Sequence, residues 1–154
     1  MKYCWVVGIC AALTACGEDK VPGSGERKNG FTPMLVTKED SLYHEIMEGH
    51  DVGMAKMSKL MKARKEVKRQ LDSMQKLPAP KKDVVYMNRL TDLQDKLSYA
   101  EFGMDTWMRE FNPDSAKASM DVRLIYLQSE RDKVNLVKKN ILESLSLADS
   151  VFKK

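Results

Sequence analysis

The chain has 154 residues and a formal charge of +4, and its 43% hydrophobic and 31% charged residues are the balance of a foldable domain, which excludes a disordered chain. No apolar run past residue 15 reaches the ~20 residues that a membrane span needs. Five Pro and eight Gly, mostly outside the periodic segments, disfavour an all-β fold. The roughly 115 residues beyond the N-terminal segments suffice for one core and are too few for a multidomain enzyme. Eleven Met against four Phe and two Trp is the compositional oddity.

Residues 1–15 begin with a positive Lys2, continue through an apolar run from Tyr3 to Leu13, and lead into Leu13-Thr14-Ala15-Cys16, the three regions of a bacterial export signal. The run is too short to span. Small residues ahead of a cysteine resemble the lipobox of bacterial lipoproteins, in which the signal is cut before that cysteine. The resemblance implies that Cys16 carries acyl chains and that the protein's first partner is a membrane. The alternatives are an ordinary secretory signal with a coincidental cysteine, or a cytosolic apolar terminus. Each buried methylene contributes ~0.8 kcal/mol, so more than one chain on Cys16 gives a stable anchor.

Cleavage there removes Cys4 and Cys10 and blocks Cys16, leaving neither a disulfide nor thiolate chemistry. The charge falls to about +3, which gives no reason to expect a nucleic acid partner. Residues 16–38 hold Gly23, Gly25, Gly30, Pro22 and Pro33 with little apolar periodicity, and read as a lipidated cysteine followed by a flexible tether. A coil of about 22 residues has a root-mean-square span of roughly 26 Å. Glu18-Asp19, close behind the cysteine, loosely resembles the signal that sorts some Bacteroidota lipoproteins to the surface. The expected location is the cell envelope, as an outer-membrane lipoprotein facing the periplasm or the surface.

The remainder, 39–154, is expected to be all-α: an antiparallel up-down-up three-helix bundle with coiled-coil-like packing. Ile46, His50, Gly53, Met57, Leu60, Arg64, Val67, Leu71 and Met74 alternate steps of four and three, the seam of a helix over about 39–77 that Pro78 and Pro80 end. Asp83 is the expected N-cap of a second helix over about 83–111, with the seam Tyr86, Leu90, Leu93, Leu97, Ala100, Met104, Trp107 and Phe111. A third, over about 115–153, carries Met120, Leu124, Leu127, Arg131, Val134, Lys138, Ile141, Leu145, Ala148 and Phe152. Short loops make neighbours antiparallel. Facing residues on the first two helices then sum to about 160, which pairs Lys65 with Asp95, Lys68 with Asp92 and Lys59 with Glu101. On that reading the basic run from Lys56 to Arg69 is a solvated face neutralised within the fold.

At about 100° per residue, Met47, His50, Met54, Met57 and Met61 fall within roughly 80° on the first helix, opposite Met104, Trp107, Met108 and Phe111 on the second. Thioether sulfur with imidazole and no thiolate suits Cu(I) or Ag(I) better than zinc, calcium or magnesium. The candidate metal ligands are His50, Met54, Met57, Met104 and Met108, with Trp107 as an aromatic neighbour able to face a cation. Core packing by pliable methionines is the plainer reading, in which the protein has no cofactor, and a Met-rich groove for a partner helix is a third.

The segments His50-Asp51-Val52-Gly53-Met54-Ala55-Lys56-Met57 and Met104-Asp105-Thr106-Trp107-Met108-Arg109-Glu110-Phe111, behind a lipobox, resemble small Bacteroidota lipoproteins labelled viral A-type inclusion protein. The resemblance extends in organisation over about residues 40–153 and implies a coiled-coil-like fold, with no catalytic or binding residue to carry over. Enzyme readings fail on inventory: two histidines on one helix, no Gly-rich phosphate loop and no His-Glu-x-x-His run. The expectation is a non-enzymatic, membrane-anchored module that binds or supports, with an envelope protein as the partner to seek and no small-molecule substrate. Soft-metal binding between the first two helices is the alternative.

Overall fold

Thr37 and Asp40 start the first helix by capping each other. The Asp40 amide donates to Thr37 Oγ1 at 3.0 Å while the Thr37 amide donates to Asp40 Oδ2 at 3.1 Å, so two donors that the first turn would leave unpaired are satisfied. The computed structural model describes residues 35–153, and these hold three long helices and no strand: α1 (Lys38–Gln75), α2 (Val84–Glu110) and α3 (Met120–Phe152). Cys16, the export signal and the tether up to residue 34 lie outside the described residues.

Two residues at the end of α1 explain a difference from the sequence expectation. Leu77 precedes Pro78, whose ring disfavours helical backbone in the residue before it. The helix therefore closes at Gln75 with Lys76 as its C-cap, and Pro78 leads into a single 3-10 turn, Ala79–Lys81. Asp83 caps α2 as expected, its carboxylate accepting from the Tyr86 amide at 2.9 Å. The third helix starts at Met120 rather than near Ser115. Ala116 has φ 62°, a left-handed backbone that a right-handed helix cannot include, so the chain turns there and resumes after Ser119.

Eighteen side chains form the apolar core, six from each helix. From α1 come Leu42, Ile46, Met57, Leu60, Val67 and Leu71; from α2, Leu90, Leu93, Leu97, Ala100, Met104 and Trp107; from α3, Leu127, Val134, Ile141, Leu145, Ala148 and Val151. Equal shares mean that each helix buries one stripe against both others, and the spacing of three and four residues places those stripes on one face. Residues 35–154 are one compact unit.

Facing pairs set the register. His50 meets Trp107, Tyr43 meets Phe111, Gln70 bonds Tyr86, and a Cβ on Gly53 would collide with the Met104 methyl. These pairs sum to 154–157 rather than 160, and the early end of α1 at Gln75 accounts for part of the difference. The ion pairs also differ from the expected ones. Glu101 pairs with Arg64, Lys59 reaches Asp149 on α3 at 2.9 Å, and Arg69 binds Glu66 one turn back. Among the described residues Lys56, Lys62, Lys65 and Lys68 have no carboxylate within 4 Å. The basic run is thus only partly neutralised within the fold, and the expected pairs Lys65–Asp95, Lys68–Asp92 and Lys59–Glu101 do not form.

Candidate functional site

Gly53 decides how closely α1 approaches its neighbours. It is buried in mid-helix, with the Met104 methyl and Ile141 Cδ1 occupying the space a larger residue would fill. Gly49, one turn earlier, lies against Val134 and Asn135. Two missing side chains let α1 settle against both partners, and Met104, fully buried, fills what Gly53 leaves open.

The methionine stripe consequently divides. Met57 and Met104 belong to the core, whereas Met54 and Met108 are each 39% exposed and Met61 is exposed further along. Successive helical residues are turned by about 100°, so Met54 points to the rim while its neighbour Gly53 points to the centre. His50 stands between the two settings. Its side chain is 22% exposed, its Nδ1 lies 2.9 Å from Asp51 Oδ1, and its ring is 5.7 Å from that of Trp107 at 40°. The groove between α1 and α2 continues past Met61 as a shallow space of about 330 Å³ lined by Arg64, Lys65, Lys68, Gln94 and Glu101.

Trp107 is the centre of an aromatic group that the sequence only partly announced. Its ring stacks on Phe111 at 4.9 Å and 15°, and Phe111 lies parallel to Tyr126 at 6.5 Å and 1°. Offset stacking of this kind contributes ~0.5–1.5 kcal/mol per pair beyond burial. The Tyr126 hydroxyl donates to the Asn112 carbonyl at 2.9 Å and accepts from its amide at 3.0 Å, which fixes the chain as it leaves α2.

Sequence reasoning missed the polar half of this cluster. Glu130 is 4% exposed, and its carboxylate accepts from Trp107 Nε1 at 3.1 Å and from Lys133 Nζ at 2.8 Å. That bond holds the Lys133 ammonium above its usual pKa, against the opposing effect of burial. Arg123, also buried, donates to Glu39 at 2.8 Å and to the Ser115 carbonyl at 2.7 Å. Both lie on the buried face of α3, in steps of four and three with Leu127 and Val134, whereas the expected seam positions Leu124, Arg131 and Lys138 are only half-buried and Met120 is exposed. The available signal was a buried indole on α2, whose N–H requires an acceptor from a neighbouring helix.

No protein-family model matches this chain, and no curated protein or solved structure is significantly similar to it.

Proposed function

We propose that the chain is an envelope lipoprotein, held to a membrane by acyl chains on Cys16, whose helices form an antiparallel up-down-up bundle acting as a binding or structural module without catalysis. The run Leu13-Thr14-Ala15-Cys16 behind an apolar segment carries the anchoring part. In support of the bundle, residue numbers on α2 fall as those on α1 rise, while Glu39, Glu45 and Lys59 meet Arg123, Arg131 and Asp149 in ascending order on α3. In support of a module without catalysis, Glu66, Asp114 and Asp149 owe their lowered pKa values first to surface partners, Arg69, Lys117 and Lys59. Structural ion pairs account for them.

Metabolic labelling with an alkyne fatty acid tests the anchor. The wild-type chain should take up the label and fractionate with the outer membrane, and Cys16→Ser should remain unlabelled and be released. An unlabelled wild-type chain overturns the reading. Crosslinking in intact cells should then capture an envelope protein on the helical part.

One arrangement favours soft-metal binding as a second reading: His50 and Met54 are one turn apart at the rim, beside Trp107. Cu(I) would take these two, with the exposed Met108 the candidate sulfur on α2, since Met57 and Met104 are enclosed in the core. Titration with Cu(I) should quench Trp107 emission, and the double variant His50→Ala with Met54→Leu should not respond. Unchanged emission, with no binding against a competing chelator, excludes it.

A further inference from the structure

Charge is divided along the helices. Residues 38–55, the first part of α1, hold one Lys against five Asp or Glu, and residues 98–137 hold five basic against seven acidic. Residues 56–97, which comprise the rest of α1, the turn and the first half of α2, hold twelve basic residues against five acidic. Opposite ends of the same pair of helices thus carry opposite net charge.

The basic end also projects. Asp149 lies level with Lys59, so the last residue of α3 lies level with about position 62 of α1, whereas α1 runs to Gln75. At 1.5 Å per residue the α1–α2 turn extends past α3 by roughly 20 Å. At its tip Leu77, Val84 and Val85 are 38%, 62% and 72% exposed, interleaved with Lys76, Lys81 and Lys82. Among the described residues none of these lysines has a carboxylate within 4 Å, and the one acid between them, Asp83, is occupied in capping α2.

We propose that this projecting turn docks on an anionic lipid surface, with Leu77, Val84 and Val85 entering the headgroup region and Lys76, Lys81 and Lys82 pairing with lipid phosphates. Charge alone would fit any polyanion. Three exposed apolar side chains among the lysines are what a bilayer rewards and a soluble polyanion does not, because only the bilayer removes them from water. The acidic opposite end is repelled by the same surface, so the turn is the part that makes contact. The inference rests on residues 35–153 and stands whether or not Cys16 is acylated.

The eighteen core side chains of the described residues lie within residues 35–154, one compact unit, so this segment is tested without the apolar N-terminal run once helical circular dichroism and a cooperative melt show that it folds. It should sediment with vesicles of phosphatidylglycerol and phosphatidylcholine, remain free of pure phosphatidylcholine vesicles, and be released as salt rises. Each lysine at an anionic surface is worth about fivefold in affinity, so Lys76→Glu, Lys81→Glu and Lys82→Glu together should weaken binding on the order of a hundredfold. Val84→Ser with Val85→Ser should weaken it about tenfold. All are exposed or boundary positions in or beside the turn, and unchanged helical circular dichroism verifies the fold. As an independent measurement, an indole introduced by Val85→Trp should shift its emission to the blue on the anionic vesicles. No binding, equal binding by the variants, or an unshifted emission overturns the proposal. So does loss of binding in the lysine variant with none in the valine variant, which would assign the turn to a soluble polyanion such as polyphosphate.

Discussion

Trp107 donates its indole hydrogen to a carboxylate that the fold takes almost entirely out of water. Removing the donor leaves Glu130 with Lys133 alone, and an unsatisfied buried acceptor costs about 1–3 kcal/mol. Trp107→Phe should therefore lower the urea-unfolding free energy by at least that amount, since a smaller ring also leaves space. Adding Glu130→Met should restore part of the loss, a coupling that a double-mutant cycle measures directly. Simple additivity of the two losses would show that the bond contributes nothing. Gly53 provides a contrasting case. Alanine gains about 1 kcal/mol of helix propensity over glycine. The atom it would strike is the far end of a flexible methionine, so Gly53→Ala should be nearly neutral. Gly53→Val, with a stiff branched side chain in the same place, should cost about 1–3 kcal/mol by thermal melting.

Each helix has its own vulnerable end. Thr37→Ala removes the capping box from α1 and should cost about 0.5–2 kcal/mol, whereas α3, whose Ser119 makes no side-chain capping bond, should be indifferent to Ser119→Ala. Glu66 links α1 to itself through Arg69 and Gln70, and Gln70 in turn bonds Tyr86 of α2. Those two bonds, Arg69 first, hold the Glu66 pKa at about 2 against an ordinary 4.5. A carboxyl with its folded pKa lowered stabilises fully above its unfolded pKa. Its contribution should accordingly be complete above about pH 4.5 and vanish as pH falls towards 2, and a pH series of melts should flatten over that window in Glu66→Gln. Much at this scale was legible: every position of the expected α2 seam is buried or half-buried, because alternating steps of three and four map directly onto a helical face. The register was three to six residues out, in part because a pre-proline leucine reads as apolar and periodic although its backbone is disfavoured in a helix. The late start of α3 was illegible for a different reason, a left-handed Ala116 with no glycine to announce it. In the candidate site, a single methionine stripe is what the periodicity predicts, but burial divides it and depends on Gly53, which a periodicity count treats as just another small residue.

For the whole molecule, the six-by-three core makes the helices interdependent. Leu60, Leu97 and Ile141 are each fully buried, one on each helix, so truncating any of them to alanine should cost about 2–5 kcal/mol, with a single cooperative transition lowered in each case. Separate transitions for the variants would show that the helices melt independently. The uneven distribution of acids and bases has a further effect, independent of any lipid. A rod roughly 57 Å long, negative at one end and positive at the other, is a permanent electric dipole. Copies standing side by side and pointing the same way repel and space themselves out. Copies free in dilute buffer attract head to tail, and light scattering should detect reversible pairs that separate when sodium chloride shortens the reach of their fields.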